Sequence, residues 1–298
     1  MALLLFCDDP LQPRQVDAAF SDEAEAAVAA SATIARVSYE ALVRGDADLA
    51  VRRVPAATGT ALAIYRGWML TVEQYEQFHR ALLGRGYALI NDPAQYRHAH
   101  HLPESAPILD GWTPESVWIP AAEISRERIF AALARFGAQP VIVKDYVKSR
   151  KHEWAEACFI PAADDRAAVE RVVTRFLALQ GAELQGGLVF RAFVALEPIG
   201  VHPQSGMPLT REHRLFYRDG ALLAHAPYWA EGDAGELPPF ARLAEVAARV
   251  RSRFFSLDVA RRQDGEWTII ELGDGQVTGL PDRLAPAAFY QALLHAGT

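Results

Sequence analysis

Leu257-Asp258-Val259, a polar turn at Gln263-Asp264-Gly265, and Trp267-Thr268-Ile269-Ile270-Glu271-Leu272-Gly273-Asp274-Gly275 form the most informative stretch of the chain. Two segments of strand character around an Asp-Gly turn predict a β-hairpin, with strands at Ser256 to Arg261 and Trp267 to Leu272. In such a hairpin one acidic group near the end of each strand can face the same side. Asp258 and Glu271 could then hold a hard cation, since magnesium prefers carboxylate oxygens together with nucleotide phosphates. Taken alone, the stretch is better explained as an exposed hairpin carrying two unrelated acids.

Upstream, Pro140-Val141-Ile142-Val143-Lys144 reads as a buried strand delivering a lysine at its end. A lysine there either ends in solvent, the commoner case, or neutralises nucleotide phosphates as a point charge. The polar segment Lys148 to Trp154 either folds its cations over phosphates or is a surface loop. Arg191 sits inside the apolar run Leu188 to Val194, where an unpaired charge is costly to bury. It needs a structural carboxylate or a ligand anion that its guanidinium can grip in bidentate fashion. Glu212 and Arg214, two apart on an expected strand, point to one side and form either an ordinary ion pair or part of a site.

Around these pieces the pattern alternates. Ala2 to Phe6 reads as a buried first strand, Ser21 to Val43 as an Ala-rich helical stretch, Thr60 to Tyr65 as a strand and Thr71 to Arg85 as a capped helix. Tyr87 to Ile90 is a short strand, followed by a turn at Asn91-Asp92-Pro93 and a polar, His-rich segment. Helices are expected at Ser125 to Phe136, Asp164 to Leu179 and Pro238 to Phe255. Strands are expected at Leu188 to Leu196, His213 to Tyr217 and Leu222 to Pro227, the last two joined by Arg218-Asp219-Gly220. The expectation is an α+β architecture with residues 1–102 as an N-terminal α/β domain and 103–298 as a second domain.

Half of the 298 residues are hydrophobic, enough for a sizeable core. The net charge of -7, from 37 acidic and 30 basic residues mixed along the chain, argues against wholesale binding to nucleic-acid phosphates. No apolar run is long enough to span a bilayer, and the N-terminus lacks a basic region before its apolar run, so no membrane partner is expected. Cys7 and Cys158 lie far apart without metal-ligand spacing, which suits small core thiols in a reducing cytoplasm.

The order of the signals resembles the ATP-grasp superfamily, and most closely its clade named for two arginines and a lysine. The matching pieces are Val141 to Lys144, Val189 to Val194, Glu212-His213-Arg214-Leu215-Phe216, and Ser256 to Asp258 through Glu271 to Pro281. Tyr65 to Met69 and Leu89 to Pro93 also resemble that group's N-terminal part. The resemblance implies an ATP-grasp fold of two α+β subdomains clamping ATP, with magnesium.

It implies that Lys144, with Lys148, contacts the phosphates, and that the backbone of Phe190, Arg191, Ala192, Phe193 and Val194 meets the adenine. Glu212 would reach the ribose or help the metal. Arg214 would face the transferred phosphoryl group, with Lys144 and Arg191 as further catalytic cations, and Asp258 and Glu271 would bind magnesium.

Two departures stand out. Gly273 occupies the place of the asparagine in the common Glu-x-Asn pattern, so Asp274 is the candidate replacement ligand. The segment Ser149 to Trp154 lacks the glycines of the usual phosphate-covering loop.

The implied activity is an ADP-forming ligase that joins a carboxylate to an amine through an acyl-phosphate. The rivals are a phosphotransferase that stops at the phosphorylated acid and a nucleotide-binding protein without turnover. Small-molecule or peptide acids and amines are the expected substrates. Arg66, Trp68, Asn91, Tyr96 and His98 to His101 either line the acceptor side or, more simply, are packed aromatics and a solvated histidine cluster. Zinc at His98, His100 and His101 is a lesser alternative without helical i, i+4 spacing.

Overall fold

In the computed structural model, which describes residues 2–201, 208–233 and 235–296, the apolar run at the N-terminus becomes a strand buried on both faces. This strand, β1 (Leu3–Cys7), lies between β2 (Thr33–Val37) and β3 (Ala61–Arg66), and β4 (Tyr87–Leu89) follows β3 in the order β2-β1-β3-β4. All the pairings in this sheet are parallel, which accounts for the unalternated hydrophobicity of β1. The helix Val72–Leu83 starts with a reciprocal cap between Thr71 and Gln74 and buries Tyr75, Phe78 and Leu82.

One expectation fails here. Ser21 to Val43 is not one helix: helix Ser21–Ala29 stops at Ser31, whose φ of 66° reverses the chain into β2, and a second helix occupies Tyr39–Val43. Parallel pairing of Thr33–Val37 with β1 overrides the helix propensity of an alanine-rich segment. The His-rich segment is likewise mostly helix, Pro93–His100.

The chain divides into two units, one made of Met1–Ala99, Pro198–Val259 and Glu271–Thr298, the other of His100–Glu197 and Ala260–Ile270. Residues 103–298 are therefore distributed over both. The second unit holds β5 (Ser116–Pro120), β6 (Val141–Asp145), β7 (Phe159–Ile160) and β8 (Gly187–Ala192) in the antiparallel order β5-β8-β6-β7. Val141, Val143, Leu188 and Phe190 turn one face of this sheet into a core with Val169, Val172, Val173 and Phe176 of helix Arg166–Gln180. The two-residue period of a strand then puts Ile142, Lys144, Val189 and Arg191 on the opposite face.

The C-terminal part of the first unit contains β9 (Pro198–Val201), β10 (Pro208–Thr210), β11 (Glu212–Arg218) and β12 (Ala221–Pro227). The hairpin strands β13 (Phe254–Arg261) and β14 (Trp267–Asp274) complete the sheet order β12-β11-β13-β14. Asp219 and Gly220 close β11 and β12 with φ of 49° and 81°, the paired positive values of a two-residue hairpin turn.

The expected long helix from Pro238 to Phe255 is shorter, Phe240–Ala247, because the chain is already in β13 at Phe254. Asn91 fixes that switch: its side-chain oxygen accepts from the backbone N–H groups of Arg253 and Phe254, and its amide donates to the Phe254 carbonyl at 2.7 Å. Phe216, Phe254, Phe289 and Tyr290 join this sheet and the helix Pro286–His295 to the core of β1 to β4.

Candidate functional site

Arg214 is held on β11 by three kinds of contact. Its Nε and Nη2 donate to the two oxygens of Asp258 at 2.7 Å each, its Nη1 donates to the Gly279 carbonyl at 2.9 Å, and its guanidinium lies 4.8 Å from the centre of the Tyr228 ring. Burial opposes its charge, but the attraction and hydrogen bonds of Asp258, with smaller contributions from Tyr228 and Glu271, together raise the guanidinium's affinity for its proton. A planar fork matched to one carboxylate is the geometry that lysine cannot reproduce. Two of the five N–H donors of Arg214 remain beyond these bonds.

Glu271 shares this face of the sheet. A side chain at Gly273 would meet the hydroxyls of Ser256 and Thr278 at 2.9 Å, so odd positions of this part of β14 face the side of Ser256 and, by the two-residue period, Asp258. The same contact gives a physical reason for glycine at 273: a side chain there would have to displace the Ser256 and Thr278 hydroxyls, which hydrogen-bond to each other.

Asp274 does not join this pair. It points to the opposite face, fully buried, where it accepts from Asn91 at 2.6 Å and from the backbone and side chain of Gln276 at 2.9 and 3.2 Å. Gln276 in turn donates to the Tyr75 hydroxyl, which donates to the Asn91 carbonyl. Burial pushes the Asp274 carboxyl up to about 7, against the pull of those donated hydrogen bonds. Its placement as a replacement metal ligand is therefore corrected to a buried structural network. Strand alternation is the cause: 271 and 274 have opposite parity.

Arg214 also lines a cavity of about 300 Å³ with Tyr228, Trp229, Glu231, Gly279, Pro281 and Asp282 among its walls. Arg283 ties the two loops of its rim together by donating to the carbonyls of Ala230 and Gly232. No sequence signal marks Tyr228, Glu231 and Asp282, which lie in aperiodic loops and converge only once β12 and β14 are placed. Glu212 accepts from the Thr210 hydroxyl, whereas the carboxylate that Arg214 grips is Asp258.

In the second unit Lys144 is largely buried, with its Nζ donating to the Val147 carbonyl at 3.0 Å. Arg191, on the same sheet face, donates to the Thr113 hydroxyl at 2.7 Å and the Ile269 carbonyl at 2.9 Å. Those bonds satisfy a charge that burial would otherwise penalise. Lys148 is exposed at the end of a turn whose backbone N–H groups bond to Asp145. Phe190 points into the core, whereas Phe193 is half-exposed and packs against Trp154 and Phe159. Ala192 and Phe193 donate their N–H groups to Glu115 and Pro140, and Val194 continues the chain beyond the sheet.

Several other candidates belong to the framework. Arg66 is fully buried against Glu23, Asn91 bridges β13 and Asp274, and Tyr96 stacks on Tyr75 at 3.9 Å. His98 shares a hydrogen bond with Arg251, and burial pushes His100 down to about 3. Trp68 donates its indole N–H to Asp17. Among the described residues no group of three or more His, Cys, Asp or Glu is arranged to hold a metal ion. Both cysteines are free and buried, and burial pushes Cys7 up to about 12 and Cys158 up to about 11, so neither offers a thiolate at neutral pH. Among the described residues no helix is long and apolar enough to cross a membrane.

Residues 135–293 match the model of an ATP-grasp domain, family 3 of the clade named for two arginines and a lysine. Similar folds include the RimK domain protein ATP-grasp from Sphaerobacter thermophilus DSM 20745, at 18% identity, TM-score 0.58 and 98% coverage of both chains. D-cycloserine synthetase DcsG aligns at 15% identity and TM-score 0.61 over 99% of both chains. The ATP-grasp ligase PsnB, complexed with precursor peptide PsnA2 and AMPPNP, aligns at 12% identity and TM-score 0.55, over 99% of this chain and 96% of that one. At these identities the likeness shows the fold. No curated protein matches the sequence.

Proposed function

This chain belongs to the ATP-grasp family, within its clade named for two arginines and a lysine, and from that premise we propose that it is an ATP-dependent ligase joining a carboxylate to an amine. The observation that carries the reading is the face formed by Arg214, Asp258 and Glu271 beside a cavity lined by the same arginine.

In the proposed reaction a carboxylate oxygen attacks the γ-phosphorus of ATP, the bond to the bridging oxygen breaks, and ADP leaves. The amine nitrogen then attacks the acyl carbon, inorganic phosphate departs, and the nitrogen releases its proton. Positioning and charge neutralisation supply most of the catalysis in such a transfer, so no covalent nucleophile is needed.

Arg214 is proposed to meet the transferred phosphoryl group with the donors not spent on Asp258 and Gly279. Lys144 is assigned to the nucleotide phosphates as a point charge, and Lys148 to the same anions from an exposed turn. The backbone of residues 190–194 is assigned to the adenine, and Glu212 to the ribose. Arg191, bonded to Thr113 and Ile269, is proposed to steady the nucleotide-facing side of its sheet.

Asp258 and Glu271 fit a magnesium site of the kind completed by phosphate oxygens and water, since their side chains share one sheet face and both are hard donors. Bound there, magnesium would supply neutralisation of phosphate charge. The carboxylates would hold it, while the fork of Arg214 fixes the orientation of Asp258.

The test is incubation with ATP, magnesium and panels of acids, with and without amines, following ADP and product by mass spectrometry. The ligase reading expects an amide together with ADP and phosphate, lost in Asp258→Asn. A phosphorylated acid that persists in the presence of every amine would identify a phosphotransferase. ATP binding with no ADP release in any combination would identify a nucleotide-binding protein without turnover.

A further inference from the structure

The cavity beside Arg214 has a charge pattern that the proposed phosphoryl chemistry leaves unused. Its walls include two carboxylates, Glu231 and Asp282, and one guanidinium, Arg214, whose charge is already matched by Asp258. Neither Glu231 nor Asp282 has a hydrogen-bond or ion-pair partner among the described residues. Arg283 on the rim adds one positive charge, so lining and rim together keep a smaller excess of negative charge, which attracts a cation and repels a second carboxylate. Tyr228 and Trp229 give the same cavity aromatic walls, their rings 4.9 Å apart and steeply inclined to each other. Aromatic faces accept both the aliphatic carbons and the positive charge of an ammonium compound. About 300 Å³ is room for a small ligand or the end of a larger one.

We infer that this cavity is the binding site for the amine substrate, taken up as its ammonium ion, with Glu231 and Asp282 holding the charge and one of them taking the proton that the ammonium loses before its nitrogen attacks, and with Tyr228 and Trp229 covering the adjoining carbons. The inference rests on the ligase reading for the word substrate, because the cavity adjoins the arginine assigned to the acyl-phosphate and the nucleophile must arrive there. Its electrostatic content, selection of a cation over an anion, stands on the lining alone. Arg283, by bonding to Ala230 and Gly232, holds the loop bearing Glu231 against the loop bearing Asp282. That tie keeps the two carboxylates on one rim before any ligand binds.

The test uses the full chain and three probes of similar size: n-butylammonium chloride, n-butanol and sodium butyrate, titrated by calorimetry in the absence of nucleotide. The expected result is saturable binding of n-butylammonium alone, weakened about tenfold or more in Glu231→Gln, Asp282→Asn or the double variant. Thermal melts of the same variants establish that they are folded. Preferred binding of butyrate, binding of none of the three, or n-butylammonium affinity unchanged in the double variant would each overturn the inference. Magnesium-dependent ADP release with an acid and an amine, measured separately on the wild-type chain, reports on the ligase reading itself. Turnover without probe binding rejects the amine site and leaves the ligase. Probe binding without any turnover rejects the ligase and keeps a cation-selective cavity.

Discussion

Arg66 and Arg214 occupy similar settings in the same unit yet have different capacities. Each pairs with one carboxylate and also donates to carbonyls of the segment after β14: Gly275 and Thr278 for Arg66, Gly279 for Arg214. Around Arg66 the bonding is complete. Nε and Nη2 go to Glu23, Nη1 goes to two carbonyls, and the Tyr290 hydroxyl closes the remaining side of Glu23 at 2.6 Å. Arg214 instead forms part of a cavity wall that does not include Arg66, and it has donors left over. A buried arginine signals function only when its hydrogen-bonding capacity exceeds what the fold consumes.

That contrast can be broken by substitution. Arg66→Ala leaves Glu23 buried without its cation, so it should cost about 3–5 kcal/mol of stability, the range for removing one partner of a buried pair. Urea unfolding checks this. A stability loss below about 1 kcal/mol, the scale of an exposed pair, would place Arg66 outside the framework.

Lys144→Ala should weaken ATP binding about tenfold, since it removes a charge from a site that water screens poorly, and the expected melting temperature is close to wild type. Calorimetry with a non-hydrolysable ATP analogue reads it. Unchanged affinity would reduce Lys144 to a strand-closing residue bonded to Val147.

A pH dependence is expected from Asp274, which burial pushes from its ordinary value near 3.8 up to about 7. The folded protein holds that proton more tightly than the unfolded chain does. Its stabilising contribution is therefore full below about pH 4 and is lost as pH rises through about 7. Relative to Asp274→Asn, the wild type should lose a few degrees of melting temperature between pH 4 and pH 8. A difference between the two proteins that stays constant over this range would show that the carboxyl titrates outside it.

Much of the fold was legible because its signals are local. The apolar run of β1, the reciprocal cap at Thr71 and Gln74, and the Asp219-Gly220 turn all specify structure over a few residues. Failures came where distant pairing decides. Thr33–Val37 is a strand because β1 lies beside it, and the helix before β13 stops because Asn91, more than 160 residues away in sequence, captures the backbone of Phe254. At the site, the hairpin motif pointed to Asp258 and Glu271 but also to Asp274, although its odd spacing from Glu271 already implied the other face. The partner of Arg214 was hidden altogether: Glu212 is two residues away, yet Asp258, 44 residues on, takes the guanidinium.

The most direct test of the account is Arg214→Ala, with melting temperature, ATP-analogue affinity and ADP formation measured on one preparation well below its melting point. Loss of the Asp258 pair should lower the melting temperature, but a guanidinium aimed at the transferred phosphoryl group should matter most in the transition state. The predicted result is a fall in turnover of about 100-fold or more, the scale for removing one preorganised charge-stabilising donor, with analogue affinity within about threefold of wild type. A folded Arg214→Ala protein that melts at lower temperature yet keeps its full specific activity would contradict the account and leave Arg214 a structural partner of Asp258.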